Sequence, residues 1–255
     1  MTADRYKENP MEGKMVRFVE NELEEMNGDG VRGHLEITGE SLYHVSIYEK
    51  YIKRCLDICF SLSSLLPLAP LFLVLSLAVC LDDPGPVFFT QYRTGLHKRY
   101  FKLHKFRTMK TGTPHETPTH MLRDPEAYIT RVGRFLRRTS MDELPQLLDI
   151  LSGHMSLIGP RPALWNQDVL TAERDRYGAN DVRPGLTGWA QIHGRDTITL
   201  AKKACLDGAY AAVLGCGGWT AFAFDCKCFL RTVRCIFKAD GLLEGGTGSL
   251  SEERL

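Results

Sequence analysis

The sequence predicts an α+β fold, mostly helical with short strands, that enters a membrane through a proline-broken re-entrant helix. Three observations carry this expectation: an uncharged run of 24 residues from Ile58 to Leu81, two prolines in its middle, and basic residues on both flanks. As a helix the run would measure about 36 Å, against a hydrocarbon core of about 30 Å. Pro67 and Pro70 each remove a backbone donor and crowd the preceding turn, so a break is expected there. Lys53 and Arg54 precede the run and Arg93, Lys98, Arg99 and Lys102 follow it, which gives no preferred crossing direction. A segment that returns to the side it entered from satisfies both facts. A buried helical hairpin in a soluble protein is the alternative.

Residues 1–46 form an acidic N-terminal extension with 10 acidic and 5 basic side chains, whereas the remainder holds 21 and 27. Val19, Leu23 and Met26 lie at helical spacing and predict a short helix there, ended by Gly28-Asp29-Gly30. The basic excess after residue 46 suits anionic partners such as phosphates and lipid headgroups. Eight cysteines, none in a C-x-x-C pair, read as reduced, small, buried hydrophobes of a cytoplasmic protein. Met1 to Gly13 lacks the apolar core of a secretory signal.

Residues 47–82 are the membrane region. Asp82-Asp83-Pro84-Gly85-Pro86 is then a turn, and Val87 to Phe89 and Phe101 to Met109 read as strands. Alternation places Lys105 and Arg107 on one face, about 7 Å apart, where they suit a diphosphate or an ordinary solvated edge. A Pro- and Thr-rich loop spans 111–125. The next helix is expected from Glu126 to Arg138, with Ile129, Val132, Phe135 and Leu136 apolar. Arg131 and Arg134 read as a solvated or lipid-facing surface. Lys227, Arg231, Arg234 and Lys238 recur at helical spacing beside Phe229, Val233, Ile236 and Phe237, a basic amphipathic helix that suits an anionic leaflet or an exposed face over a core.

The chemistry concentrates at Arg137-Arg138-Thr139-Ser140-Met141-Asp142-Glu143-Leu144-Pro145-Gln146. Ser140 and Glu143 match a capping box, but that register puts Pro145 at the fifth helical position, where it costs about 3 kcal/mol. With Asp142 as N-cap the proline is tolerated. In either register the helix start and the preceding arginines favour an ionised, nucleophilic Asp142. Gly159-Pro160-Arg161-Pro162 and Arg183-Pro184-Gly185 each hold an arginine in an extended turn suited to phosphate.

Taken in order, these segments resemble the bacterial sugar transferase family, the monotopic polyprenyl-phosphate phosphoglycosyl transferases that initiate glycan assembly. The resemblance spans Tyr48 to Gly241. It also includes Asp57, Gln91 with Arg93, Lys105-Phe106-Arg107-Thr108-Met109, Met155 to Pro162, Arg183 to Gly188 and Gly194-Arg195. It implies a catalytic domain at 83–241 with a flexible tail at 242–255, on the cytoplasmic face of the inner membrane. Transfer of a sugar 1-phosphate from a UDP-sugar to undecaprenyl phosphate would release UMP and pass through an aspartyl intermediate. Asp142 would be the nucleophile and Glu143 its partner, both near Mg2+. Lys105, Arg107, Arg137, Arg138, Gln146, Arg161, Arg183, Asp207 and Asp225 would bind substrate. Membrane lipids are implied partners, a homo-oligomer is compatible, and nucleic acid is not expected because stacking aromatics do not interleave with the basic residues.

The chain departs from the family pattern at Ala69, where a serine usually precedes the proline, in a longer stretch from Ala211 to Ala223, and in the acidic extension. A catalytically idle membrane scaffold and a phosphohydrolase are the competing readings.

Overall fold

The computed structural model describes residues 11–113, 125–194 and 198–238. Most of the Pro- and Thr-rich loop, Arg195, the side chains of Ile236, Phe237 and Lys238, and the tail lie outside the described residues.

The extension forms an antiparallel β-hairpin, β1 (Lys14–Glu20) with β2 (Gly33–Glu40), in place of the expected helix. The residues at helical spacing do not share an apolar face, since Leu23 is 95% and Met26 62% exposed. Val16, Phe18, Val19 and Ile37 are β-formers instead, and Val16 is buried. Asn27 closes the connection, its Oδ1 accepting from the N–H groups of Asp29 and Val31.

A π-helical turn (Tyr48–Lys53) leads into α1 (Arg54–Asp82), a helix of 29 residues and about 44 Å at the usual rise. The helix continues through Pro67 and Pro70, so the prolines do not divide it into two helices. Two apolar clusters pack against it, one before and one after the second proline. Phe60, Leu65 and Leu68 join the cluster of Phe101, Leu103, Leu147, Ile150 and Met155, whereas Leu71, Phe72, Leu75 and Val79 join that of Phe106 and Leu136. The opposite side of α1 is bare, with Leu66 77% and Leu81 84% exposed. Among the described residues this is the one helix apolar and long enough to cross a bilayer.

Both ends of α1 are tied to the rest of the fold. Near its start, Asp57 accepts from the Leu157 N–H at 2.9 Å, and the Arg54 guanidinium donates to the carbonyls of Ile150 and Leu151. Near its end, Asp82 accepts from the Val132 N–H at 2.7 Å and Asp83 pairs with Arg107.

β3 (Phe88–Thr94) and β4 (Tyr100–Phe106) form a second antiparallel hairpin. The expected helix from Glu126 divides into a short α2 (Pro125–Tyr128) and α3 (Arg131–Thr139), where Thr130 caps by accepting from the Gly133 N–H. Gly133 permits α3 to press onto the strand end, because a Cβ there would lie 2.0 Å from the Thr108 carbonyl oxygen. A 3-10 turn (Met141–Glu143), α4 (Gln146–Ser152), β5 (Ser156–Ile158), α5 (Asp168–Asp175) and β6 (Gly185–Thr187) follow. β5 and β6 pair in parallel. The glycine-rich stretch after Ala211 is the sharp turn at Gly217 and Gly218 between α6 (Leu200–Cys216) and α7 (Gly218–Lys238).

Candidate active site

Asp142 and Glu143 belong to neither capping arrangement expected of them. Ser140 adopts a left-handed conformation, φ 54°, that ends α3 and reverses the chain into the Met141–Glu143 turn. Pro145 occupies the N-cap position of α4, which has no side-chain cap. A proline fits there because the first backbone donors of a helix have no intrahelical partner. Met141 and Leu144 pack against the Phe106–Leu136 cluster, so the two intervening carboxylates are anchored from both sides.

Lys105, on the penultimate residue of β4, reaches Glu143 at 2.9 Å and Asp142 at 3.5 Å. Arg161, between its two prolines, donates to the same Glu143 oxygen at 2.7 Å. Thus four residues from β4, the 3-10 turn and the loop after β5 share one cluster. Asp142 is 2% exposed, and its Oδ1 is buried without a hydrogen-bond partner.

The two carboxylates are electrostatically unequal. Burial pushes Asp142 up, Lys105 and Arg137 pull it down, and the charge of Glu143 pushes it up further. For Glu143 burial acts in the same sense, but Arg161 and Lys105 outweigh it and hold the group well below the usual carboxylate range. Glu143 is therefore a fixed anion, whereas Asp142 is the more basic member of the pair. This corrects the expectation that a helix start would depress Asp142. The pair also contributes hard oxygen donors. Magnesium commonly binds through one or two carboxylates, completing its shell with waters and phosphate oxygens. The bare Asp142 Oδ1 beside Glu143 fits that requirement, although no cluster of three or more metal-ligating side chains occurs among the described residues.

The other expected site residues have varied surroundings. The Arg137 Nε donates to Thr108 Oγ1 at 2.9 Å, with its charge felt at Asp142, whereas Arg138 is exposed. Gln146 is buried at the first residue of α4. Arg107 lies beyond the end of β4 and turns to Asp83, donating to its carboxylate at 2.6 Å and to its carbonyl. It therefore does not share the bonding partners of Lys105. Arg183 donates to the Gly153 carbonyl at the end of α4. Asp207 is 1% exposed and binds the Arg174 guanidinium at 2.6 and 2.9 Å. Asp225 accepts from Tyr48, Lys53 and Tyr210, joining α7 and α6 to the π-helical turn before α1.

Two arginines absent from the sequence-based site belong beside it. Arg93 donates to the Pro162 carbonyl and to Gln91, and its charge interacts with Arg161 and Glu143. Burial and Arg161 disfavour that charge, and Glu143 supports it. Its place two residues after Gln91, on one strand face, was a usable signal. Arg174 donates to the Arg161 carbonyl as well as to Asp207. Its carboxylate partner lies 33 residues away, so local sequence gave no sign of the pair.

The bacterial sugar transferase family matches residues 48–239. The chain is 38% identical over 203 residues to an uncharacterized sugar transferase, EpsL, of Bacillus subtilis, covering 80% of this chain and 95% of that one. It is 41% identical over 176 residues to an undecaprenyl-phosphate glucose phosphotransferase of Komagataeibacter xylinus, covering 65% of this chain and 33% of the relative. Similarity to a UDP-glucose:undecaprenyl-phosphate glucose-1-phosphate transferase of Escherichia coli is 39% over 192 residues, or 72% and 39% of the two chains. The chain thus spans between a third and two fifths of the length of these last two relatives.

Proposed function

Because this chain belongs to the bacterial sugar transferase family, we propose that it transfers a sugar 1-phosphate from a UDP-sugar to undecaprenyl phosphate. The observation that carries the mechanistic part is the pairing of a buried, unpartnered Asp142 oxygen with a neighbouring Glu143 already held as an anion by Lys105 and Arg161. One carboxylate is available for chemistry and the other is fixed.

In this reading an Asp142 oxygen attacks the phosphorus that bears the sugar, a bond forms from carboxylate to phosphorus, and the bond to the UMP oxygen breaks. Lys105 and Arg161 face the charge gathering on the diphosphate, while Arg137 adds positive potential from α3. A phosphate oxygen of the lipid then attacks the same phosphorus, frees Asp142 and yields the sugar diphospholipid. Mg2+, if held by Asp142 and Glu143, would neutralise diphosphate charge. Arg93 orients the Pro162 end of the arginine loop. Arg138, Gln146, Arg183, Arg107, Asp207 and Asp225 support the site at greater remove.

Incubating the purified protein in detergent with a panel of UDP-sugars and undecaprenyl phosphate tests the reaction. A lipid-linked sugar diphosphate is expected. Sugar 1-phosphate released into water would favour a phosphohydrolase, and absence of either product would leave the scaffold reading.

The same proposal places the protein at the inner membrane, with α1 entering and leaving on the cytoplasmic side. Its support is that one folded body ties down both ends of α1, at Asp57 and at Asp82. A simple crossing would carry the charged elements bonded at one end of α1 through the hydrocarbon, where charged side chains are costly. The exposed apolar side of α1 and Trp219 at the start of α7, 78% exposed, suit membrane lipids. In a background free of native cysteines, probes at Tyr51 and His44 on one side of the run and Arg99 on the other are expected to label from the same compartment. Labelling from opposite compartments would establish a crossing.

A further inference from the structure

The acidic extension is fastened to the helix that carries Arg174. α5 has no capping side chain of its own: Gln167, at its N-cap position, has its Oε1 occupied by the Leu164 N–H. Asp29, in the connection between β1 and β2, supplies the missing acceptor from outside. Its Oδ2 receives the N–H groups of Val169 at 2.8 Å and Leu170 at 3.4 Å, the second and third residues of the helix. These are the amides that a local N-cap ordinarily satisfies. At the other end of α5, the Val16 N–H of β1 donates to Asp175 at 2.8 Å, where Lys98 and Asn180 also converge. The hairpin therefore grips α5 at both ends, and the Gly28 N–H donates to the Asn166 carbonyl just before it.

From α5 the bonding continues into the active site. Arg174 is clamped by Asp207 and donates to the main-chain carbonyl of Arg161 at 2.9 Å. Arg161 in turn donates to Glu143. The hairpin lies before the matched family region, which begins at residue 48, yet it is two bonded steps from the arginine loop.

We propose that the β1–β2 hairpin is a positioning element for the transfer reaction: Asp29 and the Val16 amide fix α5 so that Arg174 holds the Arg161 loop against Glu143. The substrate-facing role of Arg161 rests on the function proposed above; the mechanical link does not. Asp29 acts through α5 and Arg174, so it is a positioning residue. Burial pushes Asp29 up to about 6, opposed by the two amides and by Lys203 and reinforced by Asp168. A neutral acceptor of the same shape should therefore serve well at this place.

The test compares Asp29→Ala and Asp29→Asn in the full chain, each alone and with Arg161→Ala. Asp29→Ala is expected to lower kcat/KM for the UDP-sugar about tenfold, mainly through KM, because small displacements of positioning groups are costly. Asp29→Asn, which keeps an acceptor oxygen, should recover most of that loss. Once Arg161 is Ala, adding Asp29→Ala should cost less than about twofold, since coupled residues are not additive. An equal loss in both backgrounds would overturn the link. Hydrogen exchange supplies a readout that needs no activity. Asp29→Ala should speed exchange across residues 156–164 as well as in α5, by about tenfold or more. Acceleration confined to 168–175 would show only a helix cap and overturn the proposal, even if the protein transferred no sugar phosphate.

Discussion

Asp142→Asn is expected to reduce sugar-phosphate transfer by about a thousandfold or more, the scale on which loss of a covalent nucleophile is felt. The amide has nearly the same shape but cannot displace UMP from phosphorus. The fold should tolerate it. Burial is the largest influence on Asp142 and raises it above the ordinary carboxylate value. A carboxylate raised in the folded state binds its proton more tightly there than when unfolded. Its contribution to stability is present at low pH and is lost as pH rises through the folded value. At pH 7 the asparagine protein should therefore unfold at a midpoint no lower than the wild type, which thermal unfolding can check. Lys105 retains its shorter contact to Glu143 at 2.9 Å. Loss of activity together with a clear loss of stability would mean that Asp142 serves the fold instead.

Lys105→Met is expected to have the second largest effect, about a hundredfold in kcat/KM at pH 7, the order associated with removing one preorganised electrostatic group. Lys105 is the only cation within 4.0 Å of both dyad carboxylates among the described residues. It is also the strongest influence holding Asp142 down. Without it Asp142 should keep its proton to higher pH, and the acidic limb of the pH–rate profile should move upward. Raising the pH should then recover part of the lost rate. Measuring kcat/KM from pH 5 to pH 9 for both proteins checks this. A uniform loss with no displacement of the acidic limb would assign Lys105 to substrate charge alone. Glu143 should stay ionised throughout, because Arg161 still holds it.

Much of the site was legible because its signals are local. Lys105 falls on the strand face that meets the dyad, and Arg161 is set between two prolines that keep its loop extended. Arg107 departs from the expected pairing with Lys105 because strand alternation ends at Phe106, after which its guanidinium turns to Asp83. The electrostatics of Asp142 were hidden for another reason. A helix start depends only on nearby sequence, but burial depends on Met141 and Leu144 docking against residues from α1 and β4.

The extension forms a hairpin although Val19, Leu23 and Met26 imitate an amphipathic helix over barely two turns. Its strands become favourable only when Val16 is buried and its amide finds Asp175, 159 residues away. The prolines of α1 carry a local cost that does not divide the helix, whose two halves each pack against an apolar cluster. Arg174, with partners at Asp207 and at the Arg161 carbonyl, had no local pattern at all.

The most direct test of the central claim is exchange of labelled UMP into the UDP-sugar with no lipid acceptor present. Transfer through Asp142 forms the phosphosugar–enzyme and releases UMP before any acceptor reacts, so the wild type should incorporate label and Asp142→Asn should not. A wild-type preparation that makes the lipid product yet exchanges no UMP would contradict the aspartyl intermediate and require direct attack by the lipid phosphate.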